Sequence, residues 1–316
     1  MKQKPKLNSS HIYFVKNGNI ESHNSNKIWS KLEAILKQEK QSYTCFETEY
    51  AVHAKELTKS ILEKATEETV IIAVGGDGTF NEVLNGSIGY EQAIIGSIPA
   101  GSGNDYVRGI QKTRSIEYAL HLIQNKEDCA VIDVCEVTTQ AGKRYFVNSL
   151  GIGFDASICE QANNSKWKKR FQRWKIGKFI YIYYFVKQLF VFKPFHLKIE
   201  TDGQVREYER VWFAVASNQP YFGGGIKVSP NSSADDGKLR VFVVHSLTSY
   251  LFLFVFVTVF WGGHMKLHRW VDHFECRKMK AFADKETSIQ TDGESYHGKE
   301  VNVKLIPKKV KVFVNS

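Results

Sequence analysis

The stretch Thr69–Gly86, TVIIAVGGDGTFNEVLNG, runs from an apolar segment into Gly-Gly-Asp-Gly-Thr and then into a helix-like sequence. It reads as a buried strand, a glycine turn and a helix start. Glycine tolerates positive φ and lets a polyphosphate approach the backbone with no Cβ in the way. Gly75, Gly76 and Gly78 therefore suit an anion cradle, with N–H donors at a helix N-terminus where partial positive charge favours phosphate. Asp77 is placed to hold a hydrated Mg²⁺ against such an anion. A tight βα turn without a ligand stays open at this point, although the acid inside the turn and the polar Thr79 and Asn81 beyond it weigh against that.

Outward from this turn the chain alternates. His11–Val15 reads as a strand, and Ile28, Trp29, Leu32, Ile35 and Leu36 recur at helical spacing after it. Ser42–Glu47 is a second strand and Ala51–Lys64 a second helix. Beyond the glycine turn, Ala93–Ile98 is a short strand that runs into Pro99–Asp105, PAGSGND, a second glycine turn. Alternation of this kind predicts a mostly parallel sheet with ligand at the carboxyl ends of its strands, so the two turns would face one crevice. After a helix at Ile116–Gln124 the pattern changes to strands: Val131–Val137, Tyr145–Leu150, Phe195–Thr201, Glu207–Ser217, Lys238–His245, Phe274–Ala283 and Val301–Pro307. The expected division is an α/β domain over 1–131 and a β-rich domain over 132–305.

The totals narrow the partners. At 316 residues the chain has room for two domains, and its net charge of +10 suits an anionic partner: a nucleotide, a nucleic acid or an acidic membrane surface. Its five cysteines are scattered with no CxxC pair, which points to free thiols in a cytosolic protein. The first residues, MKQKPKLNSSHIYF, lack the apolar core of a secretion signal. Tyr250–Trp261, YLFLFVFVTVFW, falls short of the roughly 20 residues that span a bilayer. It reads as a buried element or an interfacial segment.

Lys166–Lys178 interleaves Lys166, Lys168, Lys169, Arg170, Arg173, Lys175 and Lys178 with Trp167, Phe171 and Trp174. That pattern suits a lipid headgroup surface or single-stranded nucleic acid, and a solvated basic helix with packed aromatics equally. Gly151-Ile-Gly153-Phe-Asp-Ala156 matches a dinucleotide fingerprint loosely but reads better as a structural turn. His264, His268, His273 and Cys276 have a spacing that could ligate zinc, yet packing roles are favoured.

Five motifs then fall in order: GGDGTFNEV at Gly75–Val83, PAGSGND at Pro99–Asp105, NSLGIGFDA at Asn148–Ala156, DDGKL at Asp235–Leu239 and DGE at Asp292–Glu294. Together they resemble the soluble bacterial diacylglycerol kinase family, which includes related lipid kinases, over nearly the whole chain. The resemblance implies an N-terminal α/β nucleotide domain and a C-terminal β-sandwich domain, with the last residues, 306–316, returning to the first. It implies ATP-dependent phosphorylation of a lipid hydroxyl in a cytoplasmic protein that visits an anionic membrane surface. Gly75, Gly76, Asp77, Gly78, Thr79, Phe80 and Asn81 would hold the ATP phosphates, with Asn17, Thr48 and Ser102 as further nucleotide contacts. Glu294 would be the general base, and Asp77 would organise Mg²⁺. Ser233, Asp236 and Lys238 match a structural Mg²⁺ loop in part of the family, the lysine through its carbonyl.

Two positions depart from the family pattern. Where Asn-Pro and a glycine three residues beyond the proline are usual, this chain has Asn17-Gly18-Asn19-Ile20-Glu21, which puts an acid near a triphosphate. Ser102 stands where threonine is common and keeps the hydroxyl. Two rival functions remain at this level: an NAD kinase-like phosphotransferase, which shares Gly-Gly-Asp-Gly-Thr but would not be expected to carry DGE, and a non-catalytic lipid- or nucleotide-binding regulator. A nucleic-acid binder is disfavoured for want of a base-reading module. The acceptor alcohol stays open, as does assembly into a homodimer.

Overall fold

The computed structural model describes residues 11–18, 23–101, 103–112, 115–124, 129–139, 142–165 and 177–315. The expectations for Glu21, for Ser102 and for the interleaved bases at 166–176 lie outside them. Contacts divide the chain into two units, 1–131 with 310–316 and 132–309.

In the first unit, β1 (Ile12–Lys16), β2 (Tyr43–Glu47), β3 (Thr69–Gly75) and β4 (Ala93–Pro99) form a parallel sheet in the order β2-β1-β3-β4. α1 (His23–Gln38), α2 (His53–Lys64), α3 (Asp77–Ser87) and α4 (Ile116–Gln124) connect or follow the strands. β3 is buried at every position, as a central parallel strand covered on both faces must be. The core joins Phe14, Val70, Ile72 and Ile94 of the sheet to Leu32 and Leu36 of α1 and Leu120 of α4. The strand order reverses direction between β1 and β3. Connections leave that point toward opposite edges of the sheet, which opens a crevice beyond the carboxyl ends of those two strands.

The second unit is a β-sandwich-like body built on antiparallel strands: β5 (Cys129–Thr139), β6 (Gly142–Phe146), β7 (Ser149–Gly153), β8 (Phe195–Thr201), β9 (Gln204–Ser217), β10 (Leu239–His245), β11 (Val271–Cys276), β12 (Lys278–Thr291) and β13 (Glu294–Phe313). β9 and β12 are long enough to pair with β8 along one half and with β7 along the other. Alternating residues of these strands, among them Leu150, Leu197, Ile199, Val241 and Val303, meet in one core. β13 continues past this body, and its Lys311 and Val312 run parallel to Ile94 and Ile95 of β4 in the first unit's sheet.

Two segments that read as single strands are each broken. The expected strand Tyr145–Leu150 is split because the Asp292 carboxylate accepts the backbone N–H groups of Val147, Asn148 and Ser149, at 3.1, 3.1 and 3.0 Å. Phe274–Ala283 is split at Arg277, where the Asp202 carboxylate takes the N–H groups of Arg277 and Lys278 at 2.9 and 3.2 Å. Both acids satisfy donors that a continuous ladder would otherwise have to meet. Three helices also interrupt the strands: α5 (Phe154–Asn164), α6 (Gly177–Val191) and α7 (Ser249–Thr258). None of the described helices is long and apolar enough to cross a membrane.

Candidate active site

The carboxyl ends of β1, β2 and β3 bring together residues far apart in sequence. Asn17 donates its backbone N–H to the Val74 carbonyl at 3.0 Å, and its side-chain amide lies 3.4 Å from the Thr79 hydroxyl. The Thr48 hydroxyl accepts the Gly18 N–H at 3.1 Å, tying the end of β2 to the end of β1. Asn17, Thr48, Gly75 and Thr79 thus share one rim of the sheet.

The two glycine turns touch. The Ala100 N–H donates to the Gly75 carbonyl at 2.8 Å, and a Cβ built on Gly101 would lie 2.5 Å from the Gly76 Cα. A Cβ on Gly75 would strike the Thr79 hydroxyl at 2.4 Å. Glycine is required at these places by close approach. Gly75, Gly76 and Gly78 do not use the positive φ that glycine permits, and Gly76 is extended at φ −96°. Gly76 caps α3 with no side-chain hydrogen bond, and a Cβ on Gly78 would meet open space. An N-terminus of this kind leaves backbone N–H groups directed outward with room beside them, which fits an anion such as a nucleotide phosphate.

Asp77 opens that helix. Its carboxylate accepts the Tyr106 N–H at 3.1 Å and is also hydrogen-bonded by the backbone of Asn104 and Asp105, so it holds the second turn beside the first. Burial, and after it the negative charge of Asp105, pushes Asp77 up to about 6 against the pull of those N–H groups. Asp105 is itself paired with Arg108 at 3.0 Å. Two acids in such proximity fit a divalent cation, which would relieve their repulsion. No cluster of three or more His, Cys, Asp or Glu that could hold a metal occurs among the described residues. A Mg²⁺ here would rely on phosphate and water for the rest of its shell.

Two members of the expected nucleotide set face inward. The Phe80 ring is 1% exposed and stacks on Tyr106 with centroids 3.5 Å apart, so it packs α3 onto the second turn and is no surface for a ligand. Asn81 is buried and its side-chain oxygen accepts the Asn85 amide at 3.0 Å.

In the second unit, DGE forms the hairpin between β12 and β13. Asp292 and Gly293 carry φ of 47° and 91°, the left-handed pair of a two-residue turn, and Glu294 pairs across it with Thr291. The Glu294 carboxylate meets the Arg144 guanidinium at 2.8 Å, with both side chains about two-fifths exposed at 41% and 44%. The turn is fastened to α5 by the Asn163 amide, 3.0 Å from the Gly293 carbonyl. Next to it, Glu160 accepts from the Ser288 hydroxyl at 2.8 Å and lies 2.7 Å from His297. Asp155, in the first turn of α5, fills the space left by Gly151 and lies by Gln290, and burial pushes it up to about 7. The signal for Asp155 lay in the sequence, as the acid of GIGFDA; Arg144 carried none.

The expected metal loop is engaged otherwise. One Asp236 oxygen accepts the Lys238 N–H at 3.0 Å and the other meets Arg240 at 2.7 Å. Ser233 bonds to Asp235, and the Lys238 ammonium pairs with Glu275 at 2.7 Å. Of the four residues with possible zinc spacing, His264 is buried with Nε2 on the Val228 carbonyl, and His268 and His273 stack.

Residues 11–137 match the model of the diacylglycerol kinase catalytic domain, and residues 148–314 that of the YegS C-terminal NAD kinase beta sandwich-like domain. The chain belongs to the diacylglycerol kinase family. It is accordingly a kinase of the class that moves phosphate to a lipid alcohol. It is 26% identical over 291 residues to the protein named "Putative lipid kinase YtlR" of Bacillus subtilis, covering 90% of this chain and 93% of that one. It is 27% identical over 267 residues to the diacylglycerol kinase of the same organism, with 83% and 84% covered. The structure named "A putative diacylglycerol kinase from Bacillus anthracis str. Sterne" shares its fold, with a TM-score of 0.73, 97% of each chain covered and 24% identity. Family membership extends over both units, so the β-rich unit belongs to the kinase as much as the glycine turns do.

Proposed function

We propose that this protein transfers the γ-phosphate of ATP to the hydroxyl of diacylglycerol or a related lipid alcohol. The observation that supports this most is the contact of the two glycine turns at the end of β3 and β4. Backbone meets backbone there, leaving the uncapped start of α3 open beside the Asp77 carboxylate. In this reading the α3 N-terminus, Thr79, Asn17 and Thr48 position the triphosphate, with Ser102 as a further contact. Asp77 holds the PAGSGND turn and turns its charge toward the metal. Mg²⁺, when bound with the nucleotide, neutralises charge on the phosphates and the leaving group.

Glu294 takes the proton from the lipid hydroxyl as that oxygen forms its bond to the γ-phosphorus and the bond from phosphorus to the bridging oxygen of ADP breaks. Arg144 fixes the direction of the Glu294 carboxylate before substrate arrives. Ser233, Asp236 and Lys238 would hold a structural Mg²⁺ only if Asp236 exchanged Arg240 for the metal. Diacylglycerol is the first acceptor to try, since relatives of this chain carry that name.

The test is purified protein with labelled ATP and Mg²⁺ against a panel of lipid alcohols and NAD, followed by thin-layer separation. Label in a phospholipid product, lost in Glu294→Gln, is the expected outcome. Label in NADP, or in no product at all, would overturn the reading.

A further inference from the structure

The second unit carries a broad apolar surface that its own fold leaves uncovered. Of the eighteen large hydrophobic residues that stand exposed among the described residues, thirteen lie on α6, α7 and the single turn that follows α7 to Trp261. The two helices are packed on each other. Phe185 of α6 lies 4.5 Å from Phe256 of α7 between ring centroids, and Phe252 of α7 stacks at 4.2 Å on Trp212 of the sheet. Leu189, Phe252 and Val255 therefore satisfy the core. Ile182, Val186 and Phe190 form a second stripe on α6, four residues apart, and Tyr250, Phe254 and Val257 form one on α7. Phe190, Tyr250 and Trp261 are exposed by 76%, 85% and 67%. A globular surface far from any partner does not hold this many large apolar side chains together.

Three observations say what covers it. The first is charge. Residues 161–199, which contain α6, hold ten Lys or Arg and no Asp or Glu, and residues 246–271, which contain α7, hold Lys266 and Arg269 and again no acid. A second copy of this chain laid face to face would set like charge on like charge, whereas an anionic surface is complementary to both segments. The second is length. α7 has ten residues, about 15 Å at 1.5 Å per residue, or half the thickness of a bilayer core. Such a helix can lie in an interface and cannot cross it. The third is chemistry: tyrosines and a tryptophan stand among the aliphatic residues, with Lys187 and Lys193 exposed beside them. Amphipathic aromatics and lysines at the edge of an apolar face are the side chains that settle at lipid headgroup level.

We infer that α6 and α7 together form the face by which this protein docks on an anionic lipid bilayer. The apolar stripes enter the boundary between headgroups and acyl chains, and the cations meet the lipid phosphates. The inference rests on the lipid kinase reading for its purpose, because an enzyme acting on a bilayer lipid has to reach that lipid where it lies.

The experiment measures partition of the full chain onto vesicles of phosphatidylcholine with a minority of phosphatidylglycerol, and onto phosphatidylcholine alone. The double variant Phe190→Glu/Phe254→Glu is compared with Val205→Glu, an exposed residue elsewhere on the unit. Wild type and Val205→Glu are expected to bind the anionic vesicles, with binding weakened by salt. The double variant is expected to lose about 10²-fold in partition at unchanged thermal stability. Equal binding of all three proteins overturns the proposal. So does a double variant that only turns a dimer into a monomer in light scattering, which would make the face a contact between copies.

Turnover separates the two readings. The double variant is expected to phosphorylate a short-chain, water-soluble diacylglycerol as wild type does and to fail on the long-chain lipid in vesicles. If wild type phosphorylates no lipid alcohol yet partitions through this face, the docking stands and the kinase reading falls. If it phosphorylates the vesicle lipid and the double variant does so equally, the docking falls and the kinase reading stands.

Discussion

Asp77 opens a helix and Asp292 a hairpin, one in each unit, yet each carboxylate gathers three consecutive backbone N–H groups from a segment remote in sequence. Asp77 takes those of residues 104–106 and Asp292 those of residues 147–149. They differ in what surrounds the charge. Asp77 is half-buried beside Asp105 and is pushed up to about 6. Asp292 sits in a hairpin beside the ion pair of Arg144 and Glu294. A third turn shows which part of this is ordinary: Asp202-Gly203 has the same left-handed pair, φ 44° and 89°, and its carboxylate likewise clamps a neighbouring chain segment. The Asp-Gly of DGE is thus a device for joining strands that the unit uses twice, and in the proposed reaction it is the glutamate after it that would take the proton. At Asp77 the anchoring and the charge cannot be separated, because one carboxylate does both.

This difference can be broken experimentally. Asp77→Ala removes the anchor of the second turn and the charge that would face a cation, so phosphoryl transfer is expected to fall by about 10³-fold in a steady-state assay. Retention of normal turnover and normal Mg²⁺ dependence would reduce Asp77 to an anchor like Asp292. Glu294→Gln keeps shape and can still accept from Arg144, but it cannot take a proton; kcat is expected to drop by about 10²-fold with ATP affinity nearly constant. A loss confined to ATP binding would move Glu294 into the nucleotide site.

Asp292→Ala leaves three N–H groups without an acceptor and replaces an Asp, which visits the left-handed region readily, with an Ala that does so less well, so the stability of the protein should fall by about 2–4 kcal/mol in denaturant melts. It should do so without altering the pH profile of the reaction. The smallest effect is that profile itself. Asp77 binds its proton more tightly folded than unfolded, so its protonation favours the fold as pH falls from about 6 toward the ordinary carboxyl range. Activity runs the other way: kcat/KM should lose about tenfold per unit below pH 6, where the cation meets a neutral acid. An acid limb that survives in Asp77→Asn would assign it to another group.

Much of this was legible because it is local. Strand, turn and helix at Thr69–Gly86 follow from an apolar run, glycines and helical spacing, all within a few residues. What stayed hidden depends on partners far along the chain. Nothing near Tyr145–Leu150 announces that an acid 143 to 145 residues later takes its N–H groups and breaks the strand. Phe80 sits inside a phosphate motif, but whether its ring faces ligand or core depends on Tyr106. The apolar run at Tyr250–Trp261 reads equally as buried or interfacial, since hydrophobicity without a charged face carries no direction; the contacts of Phe252 and Val255 divide it into an inner and an outer side. The crowding that excludes a Cβ at Gly75 and Gly101 stayed hidden as well, because contact between two turns leaves no trace in either turn alone.

The closing strand of the first unit imposes an order on biosynthesis. Phe313, wholly buried against the core that holds Ile72 and Ile94, and its neighbours Lys311 and Val312 are made only after the whole of 132–309. At about 5–20 residues per second the β4 edge therefore waits on the order of ten to forty seconds on the ribosome without its final partner. An open strand edge held for that time invites pairing with the wrong segment or with another nascent chain. Phe313→Ala would remove a side chain whose burial contributes about 2–3 kcal/mol, and the damage would fall on the sheet that carries the glycine turns, far earlier in the chain.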